Sequence, residues 1–205
     1  MKLLDKIPKI EGDELFEYHE VIGSRIYENV FRLSRKIVLK KTRIDFGDEV
    51  GPSDKPISYE FGIQKSLYDL GFPVPYPFGM LDIEEILGGE LNKSKAILME
   101  YIEGKDLLDL IPNSRGTNGN ALYKLFRLEF PELANKAEEE ISKARKIGFN
   151  PGADALMPYN LRLSENNKLF LIDFGLWNHN EVPVHPLRDS YDFSKIQSPQ
   201  SAFPE

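Results

Sequence analysis

Apolar positions in the first half of the chain come in short bursts, and in the second half they recur at helical spacing. Val30–Leu33 and Ile37–Leu39 are two apolar runs parted by Ser34 and Arg35, which predicts a hairpin within a strand-rich stretch over residues 20–46. Residues 57–70 carry a helical pattern, with Ser53 and Asp54 as a cap region and Gly71, Pro73 and Pro75 as stop signals. Strands are expected near 77–83 and 95–102. Beyond Gly104 the pattern turns helical. Asp106–Ile111 reads as a short helix stopped by Pro112, and 113–120 as a polar loop. Leu122, Leu125, Phe126 and Leu128 mark a helix ending near Pro131. Pro131 then suits the first turn of another helix, with Leu133, Ala134, Ala137, Ile141, Ala144 and Ile147 on one stripe and Gly148 as its end. Leu169–Ile172, bounded by Asn166–Asn167 and Gly175, reads as a short buried strand. The fold class is α+β, β-rich first and helical afterwards.

Composition narrows the function classes. A chain of 205 residues can bury a real core and divide into two small lobes. With 41% hydrophobic and 29% charged residues it has the make-up of an ordinary soluble protein. The absence of cysteine excludes disulfides, zinc–thiolate sites and cysteine nucleophiles. A net charge of −7 argues against non-specific nucleic-acid binding. Arg32, Arg35, Lys36, Lys40, Lys41 and Arg43 crowd one hairpin, which is read as a solvated face. No apolar window is long enough to span a membrane, and Met1–Pro8 lacks the apolar core of a signal peptide, so a cytoplasmic location without membrane contact is expected. His19, His179 and His185 have no metal-ligand spacing, and Ser24 and Ser164 lack a nucleophile-elbow context.

The residues that carry chemistry lie late in the chain. Asn160 is followed thirteen residues later by Asp173-Phe174-Gly175, with Asp173 at the end of the apolar strand. One carboxylate and one amide oxygen form an oxygen donor set that suits magnesium beside nucleotide phosphates. This spacing, with Pro158 before the Asn, resembles protein kinases. Other segments extend the resemblance. Lys36-Ile37-Val38-Leu39-Lys40 is similar to the kinase strand that ends in a phosphate-pairing lysine, with Lys41 as the neighbouring rival of Lys40. Glu60, on the predicted helix, takes the place of the glutamate that pairs with that lysine. Ala96–Gly104 looks like the strand linking the lobes, with Met99 as gatekeeper and the backbones of Glu100 and Ile102 facing an adenine edge. Leu70-Gly71-Phe72-Pro73-Val74-Pro75 resembles the corresponding link in small atypical kinases of the RIO group. The resemblance implies a bilobal kinase-like fold, with a nucleotide-binding lobe over 1–103 and a reduced helical lobe over 104–205. Asp189–Phe193 would be a short closing helix, and Phe203-Pro204-Glu205 only by coincidence resembles the kinase Ala-Pro-Glu motif. It implies ATP and Mg2+ as cofactors, with Lys40 on the phosphates and Asn160 and Asp173 on the metal.

Three departures qualify that reading. The catalytic-loop carboxylate of the family falls on Ala155 and its histidine on Ala153, and Asp154 stands one residue early. Asp154 acts as base only if the loop bulges. Aligning Val30 with the family's valine puts the three glycines of the phosphate loop at Gly23, Arg25 and Glu28, so one survives. Arg162 stands where kinases place an apolar side chain under the adenine, so it either stacks on the base or fills the pocket. Two functional readings stay open. One is an atypical kinase that transfers phosphate to a protein Ser/Thr hydroxyl. The other is a pseudokinase that works by contact with a partner protein. A small-molecule kinase would share the same cleft.

Overall fold

The computed structural model describes residues 20–24, 28–33, 36–42, 57–87, 90–112, 114 and 117–179. The expected turn at Ser34–Arg35, the cap region at Ser53–Asp54, the closing helix at Asp189–Phe193 and the Phe203–Glu205 motif lie outside those residues.

The chain is α+β, with antiparallel sheets and a few helices. The largest sheet has five strands: β1 (Glu20–Ser24), β2 (Glu28–Arg32), β3 (Ile37–Thr42), β4 (Pro77–Leu87) and β5 (Glu90–Glu100), in the order β1-β2-β3-β5-β4. Apolar β3 and β5 lie at its centre, where Leu39, Ile97 and Leu98 are buried. β4 and β5 pair along their whole length, from Pro77 opposite Met99 to Leu87 opposite Glu90, so both run further than the sequence pattern suggested. Ladder hydrogen bonds join backbones, and the polar side chains of 82–95 had concealed the strands.

α1 (Ile57–Asp69) leaves β3 and lies against β4 and β5. It closes at Gly71, whose φ of +82° is a left-handed conformation glycine adopts without steric cost. There the Gly71 N–H donates to Tyr68 O (2.8 Å) and the Phe72 N–H to Leu67 O (3.0 Å). At the exit from β5, Gly104 has φ +147°, and a Cβ there would sit 2.0 Å from Leu163 O. Only glycine lets the chain pass so close to the next sheet.

That sheet joins β6 (Gly104–Asp106), β8 (Leu161–Ser164) and β9 (Leu169–Leu171) in the order β6-β8-β9. Around it lie α2 (Leu107–Leu110), α3 (Gly119–Glu129), α4 (Pro131–Lys146) and a 3-10 turn at Pro158–Asn160. α3 begins inside the stretch expected as loop, because Asn118 caps it by accepting from the Ala121 N–H at 3.0 Å. Leu122 and Phe126 face the core four residues apart, while Leu128, two residues further round, is 74% exposed. The α4 stripe is buried at Ala134, Ala137, Ile141 and Ala144, and it ends before Ile147, which is exposed. A two-residue pair, β7 (Phe149–Asn150) with β10 (Asn178–His179), was too short to show in the sequence. Ile63 and Leu67 of α1 join Phe126, Ile141, Leu161, Phe174 and Trp177 in one buried cluster.

Candidate functional site

Lys40 is buried on β3, and its ammonium stands between two carboxylates. Its Nζ lies 2.5 Å from Glu60 Oε1 and 3.0 Å from Asp173 Oδ1, the latter 133 residues away in sequence. Lys40, rather than its neighbour Lys41, fills this role, because strand alternation puts the two on opposite faces. Lys41 is also buried, within 5.7 Å of the Phe31 ring. The solvated basic face expected for this hairpin therefore does not form at Lys40 and Lys41. Glu60 Oε1 also accepts from the Phe174 N–H at 3.1 Å, tying the first turn of α1 to the segment after β9. Asp173 has φ +77°, a conformation sparsely populated by non-glycine residues. It is held there by the buried Phe174, whose ring meets Trp177 edge-on at 5.4 Å, and by the Gly175 N–H, which donates to Asp173 Oδ1 at 3.3 Å.

The loop before Asn160 is a series of tight turns. The Ala155 N–H donates to Gly152 O and the Met157 N–H to Asp154 O. Asn160 is buried, and its Nδ2 donates to the same Asp154 carbonyl at 3.0 Å. The Ile172 N–H donates to Asn160 O at 2.9 Å, so one side-chain and one backbone bond connect Asp154, Asn160 and the residue before Asp173. Ala155, at the family's carboxylate position, is 5% exposed and belongs to the buried cluster. The Asp154 side chain is half-buried, and among the described residues no group donates to its carboxylate.

The other end of the cleft is built around Arg162. Its Nε donates to Ile102 O at 2.5 Å, Nη1 to Asp106 Oδ1 at 2.5 Å, and Nη2 to Tyr101 Oη at 2.8 Å and Gly104 O at 3.1 Å. Directly opposed residues of antiparallel strands point to one face, and Val30 opposes Lys40 while Arg32 and Met99 oppose Val38. Arg32, Val38 and Met99 therefore share the face of Lys40. The Arg32 guanidinium lies 4.1 Å from the Tyr101 ring centroid and that of Arg162 4.9 Å. The Arg162 guanidinium is thus held by acceptors on β6 and on the segment before it. The Ile102 carbonyl, expected to face an adenine, accepts from Arg162 instead. Met99 Sδ is met by Gln64 Nε2 at 3.5 Å. The Glu100 carboxylate turns away to accept from the Tyr76 N–H at 3.0 Å, and burial pushes its pKa above the usual carboxylate value. Gly23 sits opposite Val30 at an irregularity in the β1–β2 pairing, and Arg25 lies outside the described residues.

No protein-family model matches the chain. Over 73 residues it is 34% identical to acyl-CoA dehydrogenase family member 11 of Pongo abelii. That stretch is 35% of this chain and 9% of the relative. Among solved structures it is similar to WbdD in a co-crystal with the kinase inhibitor LY294002, at 16% identity and a TM-score of 0.45. The likeness covers 78% of this chain and 33% of that one. No helix among the described residues is long and apolar enough to cross a membrane.

The donor set suits magnesium in kind. No group of three His, Cys, Asp or Glu among the described residues could hold a metal by itself. Magnesium, however, is usually bound by one or two carboxylates together with substrate phosphates and water, and Asp173 with Asn160 supplies oxygens of that sort. Sequence reasoning missed Gln64, Tyr101, Asp106 and Tyr59. Tyr59 donates to His179 O at 3.0 Å and accepts from its N–H at 2.8 Å, which gives His179 a structural role. The apolar-to-polar switch at Gln64 inside a buried helix face was the one available sign.

Proposed function

We propose that this chain is an atypical kinase-like protein, of the RIO-like kind, that binds Mg-ATP by its phosphate end in the cleft between the five-stranded sheet and the helical part. Lys40 would contact the phosphates, Glu60 would orient Lys40, and Asp173 with Asn160 would hold magnesium. The metal, when bound, supplies positive charge to the phosphate oxygens. Asp154 would accept the proton of a protein Ser/Thr hydroxyl. The two-lobed division near Gly104 and a cytoplasmic location belong to the same proposal.

The observation that supports this reading is Lys40 standing between Glu60 and Asp173. Two carboxylates meet one ammonium there, and a bound cation would be favoured beside them. The test is thermal stabilisation by ATP with and without magnesium, in wild type and Asp173→Asn. Asparagine tolerates the left-handed backbone, so the variant should fold. Wild type should gain stability only when both are present, and the variant should gain none. An equal gain in the variant removes Asp173 from the site.

A second reading, a pseudokinase acting by contact with a partner, is favoured by two observations: Ala155 faces the core, and Arg162 holds the Ile102 carbonyl. A radiolabelled ATP transfer assay separates the two. Binding without transfer supports the pseudokinase, and transfer to a small hydroxyl compound supports a small-molecule kinase.

A further inference from the structure

Away from the cleft, three segments enclose a groove of about 390 Å³: the end of α1 with the turn after it, one side of α4, and the start of β9. Its floor is formed by Leu70, Phe72 and Pro73, with the buried Leu169 beneath them. Leu70, just after α1, is 59% exposed, although Ile63 and Leu67 of that helix are buried. The walls are fixed by backbone bonds. The turn closes through the Gly71 and Phe72 N–H groups, and the Leu171 N–H donates to Pro73 O at 2.8 Å, which clips that turn to β9. The groove is therefore pre-formed.

Its rim is basic. Lys136, Lys143 and Lys168 stand there against one carboxylate, Glu140. Glu140 pairs with Lys143 at 2.9 Å, and Glu139 meets the same ammonium at 3.0 Å. That leaves Lys136 and Lys168, both exposed, with no carboxylate of the described residues in ion-pair contact. Lys168 lies 4.9 Å from the Phe170 ring centroid, so its stem runs along apolar surface. In a chain of net charge −7, an apolar floor between two lysines outside ion-pair contact is a local reversal of sign, although Lys168 still feels the Glu100 carboxylate.

We propose that this groove is a docking site for an extended acidic peptide segment of a partner protein. One or two apolar side chains would sit on Leu70, Phe72 and Pro73, and flanking carboxylates would face Lys136 and Lys168. The apolar anchors supply affinity, and the charges steer approach and fix direction. The volume is of the size that takes small ligands or a few side chains, which suits an extended segment. The site is independent of nucleotide binding.

The test uses the full chain and a fluorescein-labelled peptide of glutamates around a central leucine–phenylalanine pair, followed by fluorescence anisotropy. Binding should weaken about tenfold in Lys136→Glu/Lys168→Glu and severalfold in Leu70→Ser. Binding should also weaken as salt is raised, and Lys124→Glu, exposed on α3 away from the groove, should leave it unchanged. All four positions are exposed, and circular dichroism checks that each variant folds. No binding at millimolar peptide overturns the proposal, as does binding that the double reversal leaves intact. Equal competition by an oligothymidylate would make the groove a general anion site and also overturn it. Concentration-dependent dimerisation in sedimentation velocity, lost in the double reversal, would reassign the surface to a second copy of this chain.

Discussion

At one end of the cleft an ammonium stands between two carboxylates, and at the other a guanidinium stands among four acceptors. Lys40 meets Glu60 and Asp173. Arg162 meets Ile102 O, Gly104 O, Tyr101 Oη and Asp106. In the first, two carboxylates share one ammonium. The second is nearly saturated: of the five N–H donors of a guanidinium, four contacts are made, and its one carboxylate partner balances its charge. The contrast shows two charged side chains satisfied in different ways, because the two clusters are held by different elements.

The largest expected effect comes from breaking the first end. Lys40→Met removes the ammonium that Glu60 and Asp173 share. Removing one partner of a buried ion cluster typically costs about 3–5 kcal/mol. Urea melts should show that loss, and millimolar magnesium should restore part of it in the variant. A loss below about 1 kcal/mol would mean that the cluster is far better solvated than its burial indicates.

Next in size is the base. Asp154→Asn keeps the turn, whose bonds use the Asp154 backbone, and should lower any phosphate transfer by at least about 100-fold. The same assay on Ala155→Asp should show an unfolding penalty instead of gained activity, since a carboxylate there enters the buried cluster. Transfer untouched by Asp154→Asn removes Asp154 from the mechanism.

A smaller change should open the second end. Arg162→Leu frees the Ile102 carbonyl and should tighten Mg-ATP by about tenfold in calorimetric titration, a gain of roughly 1.4 kcal/mol. Mg-tripolyphosphate, which has no base, should bind both proteins alike. An equal gain for both ligands would place Arg162 at the phosphate end and erase the contrast.

The smallest effect is at Glu100, beside the Arg162 network. Its pKa is raised in the folded state mainly by burial, so ionising it disfavours folding. The folded protein holds this proton more tightly than the unfolded chain. Stability therefore declines as pH climbs from the unfolded value of about 4.5 through the raised folded one, and levels off above it. Glu100→Gln keeps an acceptor for the Tyr76 N–H. It should gain less than about 1 kcal/mol at pH 7 and nothing at pH 4, read from paired melting curves. A gain equal at both pH values would trace to packing.

The Lys40 cluster was legible in the sequence because residue type and order marked it. A lysine closing an apolar strand, a glutamate on the next helix and an Asp-Phe-Gly turn could be placed without coordinates, and the structure brings Lys40, Glu60 and Asp173 together. The Arg162 cluster was not legible. Arg162 could be flagged as out of place, yet its partners Tyr101, Asp106 and Gly104 lie about sixty residues earlier and follow no periodic pattern. The helices were read from their stripes, but Leu128 and Ile147 counted as core because apolar character alone does not say which way a helix end turns. The position of Asp154 was visible in sequence, whereas the core-facing direction of Ala155 depends on a run of turns that only the folded loop reveals.

The shared cluster of α1 with the helical part has a consequence for how the molecule would come apart. α1 touches β4 and β5, but Ile63 and Leu67 are packed with Phe126, Ile141 and Phe174, and Tyr59 and Glu60 are bonded to His179 and Phe174. α1 is thus tied to residues far along the chain as well as to the strands, and one seam runs between it and the strands. Lys40 lies on one side of that seam, and both of its carboxylates lie on the other. Its ion pairs act as a latch, and any opening that parts the strands from α1 must break the one to Glu60.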